Sequence, residues 1–413
     1  MKNNFKLAKS TLLIALCWLV YACSYIGKLS YSANINQIGE AFGVTYADAG
    51  MVATFFFFAY GIGQVVNGVL CKRYNVKLVI FASLITSGII NALIVSVPSF
   101  AAMKFLWLAN GASMSFLWTS LIRLLSETLA GKDLTRAIVA MGTTVATGTF
   151  IVYGLSAINA AVGNFRLTFY IAAAILVIVA FVWIVSYDGL VTPLKREREL
   201  DMPAAESAAP GAKHASLSSA LKAMLVTLGF FAVANNFVKD GLTSWTPDIL
   251  ASTYDTPGWL SILLTLLLPV MAIFGAIVAV NLQKRVNSFV GSCTILFAAS
   301  SALIAAVLAL LSTGLLPVTI GCFAIVSCLM AGVNNIITSM VPLNLKQNGA
   351  NSGLLAGLLN GCCYLGSTIS SYGLGAVADG FGWRAVFVLL LTVGAVVTAI
   401  GAVYSTVSKI GGK

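Results

Sequence analysis

Uninterrupted apolar runs of about 18 residues or more recur from one end of this 413-residue chain to the other. No other feature narrows the possible folds so far. A helix of that length spans the hydrocarbon core of a bilayer, about 30 Å thick. In lipid every backbone N–H and C=O must be satisfied within the protein, which leaves only helices and closed barrels. The runs are far too long for barrel strands, which need about 10 residues. Composition agrees, because only 9% of residues are charged against about 25% in soluble proteins. The expected fold class is all-α integral membrane.

Twelve helices are read from the hydropathy, at about 11–37, 47–70, 76–97, 100–129, 134–160, 165–187, 218–250, 258–282, 287–312, 315–341, 349–378 and 383–407. The longest polar interval, 188–217, holds Lys195-Arg196-Glu197-Arg198-Glu199-Leu200-Asp201 and three prolines, and reads as a linker. It divides the chain into an N-terminal six-helix bundle (1–187) and a C-terminal one (218–413). The first apolar segment is longer than the core of a signal peptide and reads as a membrane helix.

Lys and Arg number 24. With both termini cytoplasmic, 18 fall on the inner side, while only Lys104, Arg166 and Arg384 fall outside. That asymmetry predicts a multi-pass protein of the inner (plasma) membrane with both termini in the cytoplasm. It also accounts for the net charge of +11 through contact with anionic lipid, without nucleic acid. The single histidine, His214, lies in the polar linker, and the eight cysteines show no metal-ligand spacing. No metal and no cofactor is expected, and without a nucleotide-binding loop or catalytic triad neither is an enzyme.

The halves repeat. Lys72-Arg73-Tyr74-Asn75 precedes Lys284-Arg285-Val286-Asn287 by 212 residues, and Lys28 precedes Lys239 by 211. Gly163-Asn164-Phe165-Arg166-Leu167-Thr168-Phe169 precedes Phe381-Gly382-Trp383-Arg384-Ala385-Val386-Phe387 by 218. Nearly equal offsets predict two parallel six-helix repeats, a transporter architecture.

Gly68-Val69-Leu70-Cys71-Lys72-Arg73-Tyr74-Asn75-Val76-Lys77 resembles the helix 2–3 signature of the major facilitator superfamily, with Lys72 where an aspartate is usual. Within the superfamily the chain is similar to the organophosphate:phosphate antiporters. The residues are Tyr25-x-x-Lys28, Tyr60-Gly61 with Gly68, Asn110-Gly111 with Trp118 and Arg123, and Lys239-x-Gly241 with Trp245-Thr246-Pro247. The resemblance implies twelve helices in two pseudo-symmetric bundles. It also implies that Lys28 and Lys239 take the places of two arginines that bind substrate phosphate. A family lysine maps to Gln64, a histidine near Val145 and a tyrosine to Asn236, so this chain is a divergent member.

Charges inside the bilayer argue independently. An ionised side chain at the centre of a membrane helix costs about 2.5–3.5 kcal/mol on insertion scales and normally faces a cavity. Lys28 and Lys239 lie deep in matching helices, so an anion held between them is the expected counter-ion; snorkelling of Lys28 and pairing of Lys239 with Asp240 are the alternatives. Tyr25 lies one turn before Lys28 on the same face. Tyr31, Asn34, Gln64, Asn235, Asn236, Trp245, Asn360 and Tyr364 are polar candidates near that level. Asp240 reads as the only acid deep in a helix and is the candidate proton carrier. Arg123 with Glu127 at i+4, together with Lys72 and Arg73, are candidate gating residues.

The expected function is secondary transport of a small organic anion, a phosphorylated metabolite or a carboxylate, by alternating access and anion exchange. Proton-coupled symport of a carboxylate or sugar acid is one alternative. A transporter-fold membrane sensor of a sugar phosphate is another. The expected partners are the substrate and lipid, with the chain a monomer.

Overall fold

The computed structural model describes residues 2–70, 73–201, 219–347 and 352–411. Among them there is no strand. The helices are α1 (Lys2–Ala33), α2 (Ile35–Phe42), α3 (Tyr46–Leu70), α4 (Val76–Ile94), α5 (Phe100–Thr128), α6 (Gly131–Ala161) and α7 (Arg166–Asp201). They continue with α8 (Ser219–Tyr254), α9 (Gly258–Thr265), α10 (Leu267–Ala272), α11 (Gly275–Val286), α12 (Phe289–Leu310), α13 (Leu316–Asn335), α14 (Val341–Gln347) and α15 (Ser352–Gly411). Several starts are set by side chains that accept otherwise unpaired backbone N–H groups. Asn75 caps α4 through Lys77 and Leu78, Ser99 caps α5 through Ala102, and Ser288 caps α12 through Gly291.

Eleven apolar spans are long enough to cross a membrane, the last being the 53 residues Leu355–Val407. At 1.5 Å per residue that span would measure about 80 Å, far more than one crossing needs. Gly382, with φ 76° and ψ 170°, breaks it in a conformation that only glycine adopts cheaply. The result is twelve crossings.

Interruptions to the smooth predicted helices have local causes. The first helix stops at Asn34, whose amide donates back to the Ser30 carbonyl and across to the Ser156 hydroxyl. The eighth predicted helix is three short pieces, α9 to α11, with Pro269 among them unable to donate to the preceding turn. The tenth passes through a π-helical turn, Ile336–Met340, just before Pro342. Residues 188–201, read from composition as linker, continue α7 as helix, while 202–217 lie outside the described residues. That extension is helical because it has something to hold: Lys195 reaches Glu127 at 3.1 Å, and Arg198 donates to the carbonyls of Ser126 and Leu129 at the end of α5.

Two ends of the bundle are distinguished by charge. The basic end carries Lys77, Arg123, Lys195 and Lys284, whereas Asp48, Lys104 and Asp379 mark the opposite end. At the opposite end the first and last six crossings are sealed together. The Asp379 carboxylate accepts from the N–H groups of Tyr46 and Ala47 at 3.0 and 2.7 Å, capping α3 from α15. Tyr46, Trp245 and Trp383 pack ring against ring with centroids 5.2–5.9 Å apart. A Cβ on Gly50 would sit 2.0 Å from the Ser371 carbonyl oxygen, so α3 and α15 touch backbone to backbone. Pro247 leaves the Thr243 carbonyl without its helical donor, and the Tyr153 hydroxyl of α6 donates to it at 3.2 Å.

Candidate functional site

Lys28 lies on α1 within the apolar span Ala8–Ala33 and is 5% exposed. Its ammonium lies 4.1 Å from the ring centroid of Tyr60, 4.8 Å from those of Tyr25 and Tyr364, and 5.9 Å from that of Phe56. It donates one hydrogen bond, to the Tyr364 hydroxyl at 3.1 Å. No carboxylate lies within ion-pair distance of it among the described residues. The cage has a simple sequence origin: Phe56, Tyr60 and Gln64 recur every four residues on α3 and share one face of the helix. Tyr25 stands one turn before Lys28 on α1, and Tyr364 arrives from α15.

Desolvated cation–π contacts stabilise a cation by about 2 kcal/mol. The rings therefore hold Lys28 in place without filling the site with a fixed counter-charge. The ammonium has three donors, of which one is committed to Tyr364.

A cavity of about 300 Å³ runs from this aromatic layer toward the basic end. Tyr25, Gln64, Asn360 and Tyr364 line it, with Tyr21, Trp118 and Asn334. Gln64 donates to the Ser115 carbonyl at 2.9 Å and accepts from Asn360 at 3.1 Å, joining α3 to α15. Tyr21 and Trp118 pack with centroids 4.7 Å apart and form an aromatic wall.

Lys239 is placed differently from its counterpart. Its ammonium lies 3.2 Å from Asp240 Oδ1, and both side chains are partly exposed. Asp240 Oδ2 accepts from the Ser367 hydroxyl at 2.6 Å and from Asn236 at 3.0 Å. Asn236 in turn donates to Ser367 and accepts from Asn235. The expected facing pair of free ammonium groups is thus corrected: neighbours one residue apart do meet, because Ser367 and Asn236 turn the carboxylate toward Lys239. Lys28 still has electrostatic interactions with both members of the pair.

Trp245 does not join the site. It is fully buried in the aromatic seal at the opposite end. Tyr31 donates to the Ala49 carbonyl, and Asn34 braces the end of α1. Among the gating candidates, Arg123 and Glu127 meet at 2.5 Å, and Lys195 completes a triad on the same carboxylate. Lys72 lies outside the described residues, and Arg73 is exposed just past α3.

Asp240 is not the only acid deep in a helix, contrary to the sequence expectation. Asp248, two turns further along α8, is 1% exposed; one oxygen accepts from Asn36 at 2.9 Å and the other is buried without a partner. It was not singled out from the sequence, although it lies within the helix read over 218–250. Tyr60 and Phe56 were also missed, although their spacing from Gln64 was available as a signal. Ser367 carried none: its role depends on α15 meeting α8.

A sequence model of the family described as the Major Facilitator Superfamily matches residues 17–370. Two curated relatives, each described as a membrane sensor protein UhpC, come from Salmonella typhimurium and Escherichia coli. They are 31% identical over 99 residues and 33% identical over 93. The matched stretches cover 24% and 22% of this chain and 22% and 21% of theirs, so they span about a fifth of the relatives' length. Among solved structures, a bacterial homologue of the human lysosomal transporter Spinster, inward-facing and unoccupied, gives a TM-score of 0.76 at 14% identity. That alignment covers 96% of this chain and 97% of that one. A nucleoside transporter NupG mutant gives 0.68 at 12% identity, over 96% and 99%. At these identities the likeness shows the fold.

Proposed function

We propose, from the premise that the chain belongs to the major facilitator superfamily, that it carries a small organic anion across the membrane by alternating access, with Lys28 as the anion's anchor. One observation carries this reading. Among the described residues Lys28 is a buried cation without a carboxylate partner, held by groups from α1, α3 and α15 behind Tyr25 and Tyr364, which line the cavity. A buried charge lacking a counter-ion is costly. A buried cation held by ring faces and one hydroxyl, with donors to spare, is suited to binding an anion reversibly.

The excess of basic residues supports a cytoplasmic open end for the cavity, with both termini on that side. In this reading the described state faces inward, and an arriving anion takes over donors of Lys28 now directed at the rings. Tyr364 belongs to α15 while Tyr25 and Tyr60 belong to α1 and α3. Binding therefore acts on a contact between the two six-helix bundles expected from the sequence, 1–187 and 218–413. Exchange of one anion for another follows if the empty site resists the passage between states. The substrate is a phosphorylated metabolite or a carboxylate, and the working unit is the monomer.

The membrane sensor relatives favour a second reading, in which the same site binds an anion and reports it. Counterflow in proteoliposomes tests both. Labelled phosphate, sugar phosphates and carboxylates are offered to the wild-type protein and to Lys28→Ala. Transport of one class, lost in the variant, supports the leading reading. Binding without transport, also lost in the variant, supports the sensor. An anion transported equally by both proteins removes Lys28 from the site.

A further inference from the structure

The charge and polarity of the cavity identify its substrate more narrowly than "anion". Among the described residues no charged side chain lines the cavity itself. Lys28, against the lining residues Tyr25 and Tyr364, contributes one positive charge from behind them. Lys239 and Asp240 cancel at 3.2 Å, and the second oxygen of Asp240 is already engaged by Ser367 and Asn236. The site therefore presents a net charge of one. A monoanion is neutralised there, whereas a dianion brings a second negative charge with no partner into a place where water is restricted.

The walls carry the second half of the inference. Gln64, Asn334 and Asn360 present amides, and Thr119 and Ser339 are hydroxyl-bearing. An apolar acid would strip water from these groups and return no hydrogen bonds. Tyr21 and Trp118 present an aromatic wall, which suits the C–H face of a sugar-like carbon chain. The volume of about 300 Å³ corresponds to roughly ten water molecules' share of liquid, the scale of a hexose-sized ligand.

We propose that the substrate is a polyhydroxylated monoanion of hexose size, a sugar acid with a single carboxylate, and not a phosphate monoester dianion. This rests on the anion-site reading above and narrows it.

A pair of probes that differ mainly in charge tests it. Glucose 6-sulfate is a monoanion, while glucose 6-phosphate is a dianion at mildly alkaline pH, since a phosphate monoester's second ionisation lies near pH ~6. Ligand-induced thermal shifts of the purified protein give apparent affinities without assuming transport. The expected result is that gluconate and glucose 6-sulfate bind at least about tenfold more tightly than glucose 6-phosphate. Lactate, a monoanion with a single hydroxyl, should bind more weakly than gluconate. Asp240→Asn raises the site's charge by one and is expected to shift the preference toward glucose 6-phosphate. Equal or tighter binding of glucose 6-phosphate by the wild type overturns the charge count while leaving an anion site in place. If none of the probes shifts the wild type, and Lys28→Ala leaves counterflow unchanged, the anion-site reading falls with it.

Discussion

Lys28 and Lys239 occupy matching positions in the two halves, yet they do opposite things. Lys28 sits in a cage of rings with no carboxylate, and Lys239 is paired with its neighbour Asp240. Each environment suits its exposure. The buried ammonium is held by polarizable ring faces and one hydroxyl. The partly exposed one is neutralised by a carboxylate that two further donors hold in place. Sequence symmetry between the halves therefore does not make the site electrostatically symmetric. One half supplies the available charge, and the other contributes Tyr364 and a closed ion pair.

Removing the available charge should break the contrast most severely. Lys28→Met is expected to lower transport by about a hundredfold or more, in line with truncating a buried charge partner. The same change should raise unfolding stability by about 1 kcal/mol, because it removes a buried charge lacking a counter-ion. Counterflow and thermal unfolding on one preparation read both effects, and unchanged transport would erase the distinction between the lysines.

Breaking the other lysine's pair should act on stability first. Asp240→Asn leaves Lys239 partly buried and unpaired, at an expected cost of about 1–2 kcal/mol. Lys239→Met with Asp240→Asn together should be less destabilising than the sum of the single changes by about 1 kcal/mol. Strict additivity in unfolding measurements would mean that the pair contributes nothing.

Tyr364→Phe sharpens the comparison further, since it keeps the ring over Lys28 and deletes the accepting hydroxyl. A loss of about 1 kcal/mol is expected, read as about a fivefold rise in the half-saturating substrate concentration. No change would leave the ring faces alone responsible for positioning Lys28. Glu127→Gln is the smallest perturbation and the control. Its triad with Arg123 and Lys195 is partly exposed and lies within the first six crossings. A cost of about 0.5 kcal/mol or less is expected, falling as salt is raised; a large effect on transport would give the triad a gating role.

Much of this was legible before any coordinates. Tyr25, Gln64, Asn360 and Tyr364 were singled out as polar residues at the depth of Lys28, and all four line the cavity beside it. Trp245 was placed at the same depth and turned out to seal the opposite end. A helix spanning the whole bilayer gives each residue a depth, but hydropathy assigns that depth only to within a turn or two. Asp248 was not singled out although it lay inside the helix read over 218–250, which in the structure runs on to Tyr254; only the packing of α8 shows that it is buried.

From sequence alone follow the all-helical membrane fold, the crossings, their repeat and the cost of a lysine at position 28. Those are consequences of composition and spacing, because lipid forces the backbone to hydrogen-bond within each helix. Which lysine stays available was decided only by tertiary packing. Adjacent helical residues point about 100° apart, so nothing in the order Lys239-Asp240 requires them to pair. They pair because Ser367, brought in by α15, and Asn236, one turn back on α8, hold the carboxylate in place. Among the described residues no carboxylate brought in by the fold does the same for Lys28, which rests on ring faces and one hydroxyl instead.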